Sequence, residues 1–282
     1  MRIGISGSSG QLGSAVIAGL LERSSGHQVV GISRSPEKIY VPAEGRYGNY
    51  DEPETLAAAY RGLDRLLIIP SAELSPGVRG RQYKAAIDAA VRAAVGHIVL
   101  MSAAGTREAA AGTLGEAYWM AENHLIKTAP HWTILRMNYY SESLADEARM
   151  SFAAGFLSGL GEDRVAFVSR NDVAAAAVGI LLTEGRAGAV YNATGPAAVT
   201  GAERAAMITK ITGKPLAFSA LSEQQLRGGL TQAGLPEVVV NAIVEIKANF
   251  VAGDFNIVTG DVQRLAGHAP KSLYDVLAAA LA

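Results

Sequence analysis

The chain has 282 residues, of which 49% are apolar and 18% charged, against about 25% charged in an average soluble protein. This excludes a disordered chain, and twenty-five basic against twenty-six acidic side chains leave a net charge of −1, without the basic footprint of a nucleic-acid-binding protein. Cysteine is absent, which excludes disulfides, thiolate nucleophiles and cysteine-ligated metal centres.

The length fits one large domain, or one domain with a smaller lobe. The first two thirds alternate β-rich runs with Ala/Leu-rich helical segments. Strands are expected over 2–6, 28–33, 65–69, 97–102 and 132–136, and helices over 11–22, 54–61, 81–94 and 116–127. Leu66-Leu67-Ile68-Ile69 and Ile98-Val99-Leu100-Met101 are continuous apolar runs, as in parallel strands covered on both faces. Alternation at this spacing predicts a doubly wound, parallel α/β sheet. Beyond Arg136 the rhythm loosens: a helix over 143–157, a strand over 164–168, a helix over 171–182 and a strand over 189–193 are expected, then a mostly helical last third. The longest soft stretch, 174–182, is too short to span a bilayer, and the start of the chain carries no signal-peptide pattern. A soluble, cytoplasmic globule is expected, with neither membrane nor nucleic acid as partner.

Gly7-Ser8-Ser9-Gly10-Gln11-Leu12-Gly13 is the most informative stretch. It follows a strand and opens a helix, the context in which spaced glycines make a dinucleotide site. Gly7 allows a tight turn, Gly10 lets backbone approach a pyrophosphate, and Gly13 lets the helix pack close to the sheet. Helix-start N–H groups then face the anion. At the end of the second strand, where NAD enzymes place an acid on the ribose hydroxyls, this chain has Ser33-Arg34-Ser35-Pro36-Glu37-Lys38. Arg34, aided by Lys38, pairs with a 2′-phosphate that a carboxylate would repel, so NADP(H) is the expected cofactor. Gly48-Asn49-Tyr50-Asp51 suits the adenine wall, with Asn49 as the amide partner. Pro70-Ser71-Ala72 and Ser102-Ala103-Ala104-Gly105 follow the next two strands, and loops there line the ligand crevice of an open parallel sheet.

Together with Leu135-Arg136-Met137-Asn138-Tyr139-Tyr140-Ser141-Glu142, Tyr191-Asn192-Ala193 and Leu265-Ala266-Gly267-His268, these motifs resemble the NmrA-like branch of the short-chain dehydrogenase/reductase superfamily. Within that branch the chain is most similar to the NADPH-dependent quinone oxidoreductase and triphenylmethane reductase group. The resemblance spans nearly the whole chain, with Asn49 departing from the Asp of many relatives. It implies a Rossmann-like NADP-binding domain over 1–136, to which segments within 160–195 return, and a smaller, mostly helical substrate lobe over 137–282. It also implies that Asn138, Tyr139 and Tyr140 lie over the nicotinamide and substrate, that Arg170 lies close to the cofactor, and that a homodimer is a common assembly.

Ordinary members of the superfamily use Tyr-x-x-x-Lys, whose lysine readies the phenol to protonate a carbonyl oxygen. None of the ten tyrosines here has Lys four residues later; the nearest match, Tyr118-Trp119-Met120-Ala121-Glu122, puts a carboxylate there, which opposes ionisation of a phenol. Alcohol and ketone chemistry thereby loses weight. The expected activity is hydride transfer from NADPH to a quinone-like or other conjugated electrophile, with a small-molecule acceptor as partner. A non-catalytic NADP(H) sensor, or a carbonyl reductase with an unconventional acid, is the alternative. Tyr140, Tyr118 and His124 are the candidate proton donors, and Trp119 and Met120 either line the acceptor pocket or pack in the core. The five histidines have no i, i+4 pairing and no cysteine partners, which argues against zinc.

Overall fold

A parallel strand flanked on both sides by neighbours must hide both faces, and the apolar runs do so: Leu66, Leu67, Ile68, Val99, Leu100 and Met101 are all fully buried. In the computed structural model, which describes residues 1–23 and 26–282, the first half of the chain runs Arg2–Ser6 (β1), Gln11–Arg23 (α1), Gln28–Ser33 (β2), Glu44–Tyr47 (β3), Pro53–Ala59 (α2), Arg65–Ile68 (β4), Val78–Arg92 (α3), His97–Ala103 (β5), Leu114–Thr128 (α4) and Trp132–Met137 (β6). The second half runs Ser141–Ser151 (α5), Phe156–Gly159 (β7), Arg164–Val165 (β8), Arg170–Leu182 (α6), Ala189–Ala193 (β9), Val199–Thr200 (β10), Gly201–Thr212 (α7), Ala217–Ala220 (β11), Glu223–Gln232 (α8), Glu237–Val251 (α9), Asp261–Ala266 (α10) and Leu273–Leu281 (α11).

Seven strands form one parallel sheet in the order β3-β2-β1-β4-β5-β6-β9. The fold is the Rossmann-like, doubly wound α/β class. One apolar cluster joins the sheet to α1, α6 and α10, and a second joins the opposite face to α2, α3 and α4. The order reverses at β1, whose neighbours are β2 and β4. Connections leave the carboxyl ends of those strands in opposite directions there, and a crevice opens between them.

Before β6 the structure adds the edge strand β3, which is not among the expected strands; the larger departures lie beyond β6. The helix expected over 143–157 ends at Ser151, because Gly155 takes a left-handed φ of 76° and releases Phe156–Gly159 to pair in parallel with Ala217–Ala220. The strand expected over 164–168 stops at Val165, pairing with Val199–Thr200, while Val168 bridges to Tyr140. The last third is therefore less purely helical than its composition indicates. Two-residue and four-residue strands are too short for alternation to reveal them. Asp261, at the start of α10, accepts the backbone N–H of Asn192 in β9 at 2.8 Å, so a late segment closes onto the sheet edge. No helix among the described residues is long and apolar enough to cross a membrane.

Away from the sheet, α5, α7 and α11 pack with Phe167, Phe250 and Phe255 in a third apolar cluster. At its edge Arg204 and Asp163, exposed by only 2% and 6%, form a two-pronged pair at 2.6 and 3.0 Å. The guanidinium lies 5.4 and 5.5 Å from the Phe167 and Phe218 ring centres. Removing one partner of a buried pair strands the other charge, at a cost of about 3–5 kcal/mol. Arg204→Ala is expected to lose stability of that order in denaturant unfolding, whereas a loss under about 0.5 kcal/mol, typical of a surface change, would show the pair to be structurally idle.

Candidate functional site

The loop from β1 to α1 is built by close backbone contact. Gly7 has a φ of 87°, a conformation that costs any other L residue strain, and its N–H and that of Ser8 donate to Ile32 O. A Cβ on Gly13 would stand 2.5 Å from Gly7 O and 2.7 Å from Ser8 Cα, so only glycine lets α1 seat against the loop. Gly10 differs. A Cβ there would meet only Gly7 O at 3.5 Å, so the protein leaves the position open on the crevice side. Neither Ser8 nor Ser9 caps α1; Ser8 Oγ is buried without a partner. The first-turn N–H groups of the helix carry no side-chain cap from these serines, and such groups attract an anion.

Around this loop lies a cavity of about 570 Å³ that reaches from Arg34 past Gly10 to Tyr118, Tyr140 and Arg170. Ser9, Gln11, Leu12, Asn49, Pro70 and Ser71 also line it. Arg34 is exposed and makes no ion pair among the described residues. Asn49 lines the wall, but its side chain is engaged locally: Nδ2 donates to Glu52 at 3.0 Å, and Oδ1 accepts the Asp51 N–H at 3.1 Å. Tyr50 donates to Ile69 O at 2.7 Å, tying the β3–α2 turn to the end of β4. The Arg170 guanidinium lies 5.0 Å from the centre of the Tyr140 ring, and its backbone N–H donates to Glu142 at 3.0 Å. Burial pushes the Tyr140 phenol well above its ordinary pKa, with Tyr118 adding to the shift and Arg170 opposing it. Tyr140 itself donates to Met137 Sδ at 3.0 Å.

A second, more apolar cavity of about 430 Å³ opens beside the first, and the two share Arg79, Tyr118, Met137 and Tyr140. Its walls come from the β5–α4 connection, from Tyr139 and from α9 with the turn after it. Glu245 on α9 accepts the N–H groups of Leu114 and Gly115 at 3.0 and 2.9 Å, capping α4 from across the cavity. Arg107 pairs with Asp254 on the same rim. Tyr139 packs edge-on against Phe167, Phe250 and Phe255, and burial pushes its phenol up to about 12.

Several expected site residues stand elsewhere. Ser8 lies beneath the loop rather than on the cavity wall. Lys38 ends a single 3₁₀ turn, Pro36–Lys38, exposed and off both walls. Ser102 is fully buried and donates to Glu122 at 2.6 Å. Asn138 lines the second cavity rather than the first; its amide donates to Phe255 O at 3.0 Å and accepts the Tyr139 N–H at 2.7 Å, so both ends are occupied. His124 lies away from both cavities on the outer face of α3 and α4, bonded to Asp88 at 2.6 Å. Trp119 and Met120 share that face, off the walls of both cavities. Glu122 does not act on Tyr118: its two oxygens take the Arg136 guanidinium at 2.9 and 2.6 Å.

What the Tyr118 hydroxyl meets instead is Arg79, whose Nη1 donates to it at 3.3 Å from the first turn of α3. Sequence reasoning passed over Arg79, although a signal existed. Arg79, Gln82, Tyr83 and Ala86 fall on the buried stripe of α3, so a cation sits where an amphipathic helix ordinarily carries an apolar residue. Gln82 was missed likewise; it accepts from Ser71 and donates to Asp51 at 2.8 Å, bridging two loops of the crevice.

The model of the NAD(P)H-binding family matches residues 7–184. The chain belongs to that family. Among curated members it is similar to quinone oxidoreductase 2 of Escherichia coli (strain K12), 30% identical over 276 residues and covering 96% of each chain. Among solved structures it is similar to an NADPH-dependent quinone oxidoreductase from Escherichia coli complexed with NADPH, with a TM-score of 0.91 at 29% identity, covering 98% of this chain and 99% of that one. The Citrobacter sp. triphenylmethane reductase complexed with NADP(H) superposes over 100% of both chains, with a TM-score of 0.90 at 27% identity.

The two glycines of the loop separate by substitution. Gly13→Ala is expected to destabilise the protein by about 1–3 kcal/mol, as for other overpacked positions. Gly10→Ala is expected to leave denaturant stability within about 0.5 kcal/mol. Equal losses would mean that Gly10, too, is held by packing within the protein.

Proposed function

We propose that the protein is an NADPH-dependent reductase that transfers hydride to a quinone-like, conjugated acceptor. The observation that carries this reading is the junction of the two cavities: the one that starts at the phosphate loop ends where the apolar one begins, at Tyr118 and Tyr140. A bound NADPH supplies hydride from C4 of its dihydronicotinamide. The kinship with a quinone oxidoreductase supports a quinone acceptor, and that with a triphenylmethane reductase supports hydride transfer to a conjugated acceptor.

On this reading residues 1–136, with the segments that return within 160–195, hold the cofactor, and residues 137–282 close the acceptor side. The open backbone at Gly10 and the uncapped first turn of α1 take the pyrophosphate. Arg34, exposed and without an ion pair among the described residues, takes the 2′-phosphate. Asn49 and Tyr50 border the adenosine half, and Pro70, Ser71 and Arg170 the other half. The acceptor lies flat between Tyr118 and Tyr140, whose rings offer stacking surfaces. The apolar wall, closed by Glu245 and by the Arg107–Asp254 pair, keeps water from the reacting atoms. The chain then contributes mainly orientation, which can lower a barrier by about 7–11 kcal/mol where the reacting groups are well aligned. A conjugated acceptor suits a site without Tyr-x-x-x-Lys, since the electron pair it receives is delocalised.

Arg34→Ala is expected to weaken NADPH binding about 10–100-fold, the worth of one charge-assisted bond, with little change for NADH; titration calorimetry reads both. Equal loss for the two nucleotides contradicts the 2′-phosphate assignment. The wild-type protein is expected to oxidise NADPH with quinones, followed by the loss of reduced-nicotinamide absorbance; binding of NADPH without turnover across a panel of quinones and dyes contradicts the reductase reading.

A further inference from the structure

At the junction of the two cavities stands a buried cation without a carboxylate partner among the described residues. Arg79 is 8% exposed and lines both cavities, yet among the described residues it forms no ion pair. Its one hydrogen bond goes to Tyr118 Oη, its guanidinium carbon lies 5.7 Å from the Tyr118 ring centre, and its Nε is buried without an acceptor. Glu245 caps α4 and Asp254 is held by Arg107. The exposed Glu73, which accepts the Ser75 N–H at 2.7 Å, feels the Arg79 charge but forms no ion pair with it. The other cation at the crevice end, Arg170, lines only the first cavity. A buried guanidinium without a counter-charge is unfavourable until a ligand brings the anion, and this one borders the space assigned to the acceptor.

We propose that Arg79 receives the negative charge that hydride transfer places on an acceptor oxygen, and that Tyr118 delivers the proton to that oxygen. The proposal rests on the reductase reading and narrows its substrate class. Neutral quinones and conjugated enones, which become oxyanions on reduction, fit a cation at this point; acceptors that are already cationic, such as triarylmethane dyes, meet it with repulsion. In the step, a C4–H bond of the dihydronicotinamide breaks and its hydrogen and electron pair go to one quinone oxygen, forming an O–H bond and leaving the charge on the other oxygen. The quinone is reduced to the hydroquinone monoanion as NADPH is oxidised to NADP+, and the charge rests on the oxygen facing Arg79. The O–H bond of Tyr118 then breaks, its proton joins that oxygen, and the neutral hydroquinone results. Water returns a proton to the Tyr118 oxygen, which Arg79 Nη1 holds meanwhile. Because Nη1 donates to the phenol oxygen, the phenol's own hydrogen is directed away from Arg79 and is free for transfer.

The anion site can be read without turnover. With NADP+ saturating, 4-nitrophenol is titrated into the protein, and its absorbance separates bound phenolate from bound phenol. The wild type is expected to bind the phenolate, Arg79→Met to bind it roughly 10-fold more weakly, the loss of one charge-assisted contact, Arg79→Lys to recover much of the difference, and Tyr118→Phe to retain it. No phenolate binding by the wild type, or equal binding by Arg79→Met, overturns the proposal. In turnover, Arg79→Met is expected to lower kcat/KM for a neutral quinone roughly 100-fold, as removal of an oxyanion donor does, and to shift preference toward a cationic triarylmethane dye. Equal loss with both acceptors overturns it. Calorimetry with NADPH should give the same Kd for wild type and Arg79→Met; a large loss assigns Arg79 to the cofactor and overturns the proposal. Arg79-dependent phenolate binding in a wild type that reduces no quinone would instead uphold the anion site and fault the reductase reading.

Discussion

The closeness of α1 to the β1 loop is the constraint on which the rest of the site depends. Without a side chain at Gly13, the helix rests against the Gly7 carbonyl and the Ser8 backbone, and its uncapped first turn faces the crevice between β1 and β4. Any larger residue would push the helix start away from the sheet and move those N–H groups. The reversal of strand order at β1 supplies the crevice, and the glycine contact sets the helix start at its floor. The glycine that faces the cavity, Gly10, has room for a Cβ as far as the protein is concerned. Its openness is a feature of the binding surface rather than of the packing.

The chemistry is organised by what replaces the usual Tyr–Lys pair. The residue one helical turn after Tyr118 is Glu122, which is neutralised by Arg136 from β6 and anchored by Ser102 from β5. That buried set fastens α4 to the sheet and leaves the Tyr118 oxygen to Arg79 on α3. A cation therefore still meets the phenol, but it comes from the neighbouring helix and stands where the two cavities join. The same replacement explains why a helix-local motif cannot reveal the pair: Arg79 and Tyr118 are brought together only when α3 and α4 pack side by side.

This also marks how far the sequence could be read. Short-range features were legible: the glycine spacing, the basic residue after β2, the apolar runs of β4 and β5, and the resemblance carried by 135–142. Each depends on residues adjacent in the chain or on one face of one element. The rest depends on assembly. Asn138 reads as a residue over the nicotinamide, whereas in the fold the turn after α9 brings Phe255 O to 3.0 Å from its amide. His124 reads as a crevice residue until the rotation of α4 turns it to Asp88. Ser8 follows β1 in the expected way, yet its side chain lies below the surface, and Ser102 lies within β5 and is fully buried. The Phe156–Gly159 strand is hidden because its partner, Ala217–Ala220, lies far along the chain.

The central claim, that the crevice holds NADPH with its reducing end at the mouth of the second cavity, is tested most directly by calorimetric titration of the purified protein with NADPH and with NADH. The account predicts saturable binding of one NADPH per chain, with NADH bound more weakly. An absence of heat and of saturation with both nucleotides would contradict it.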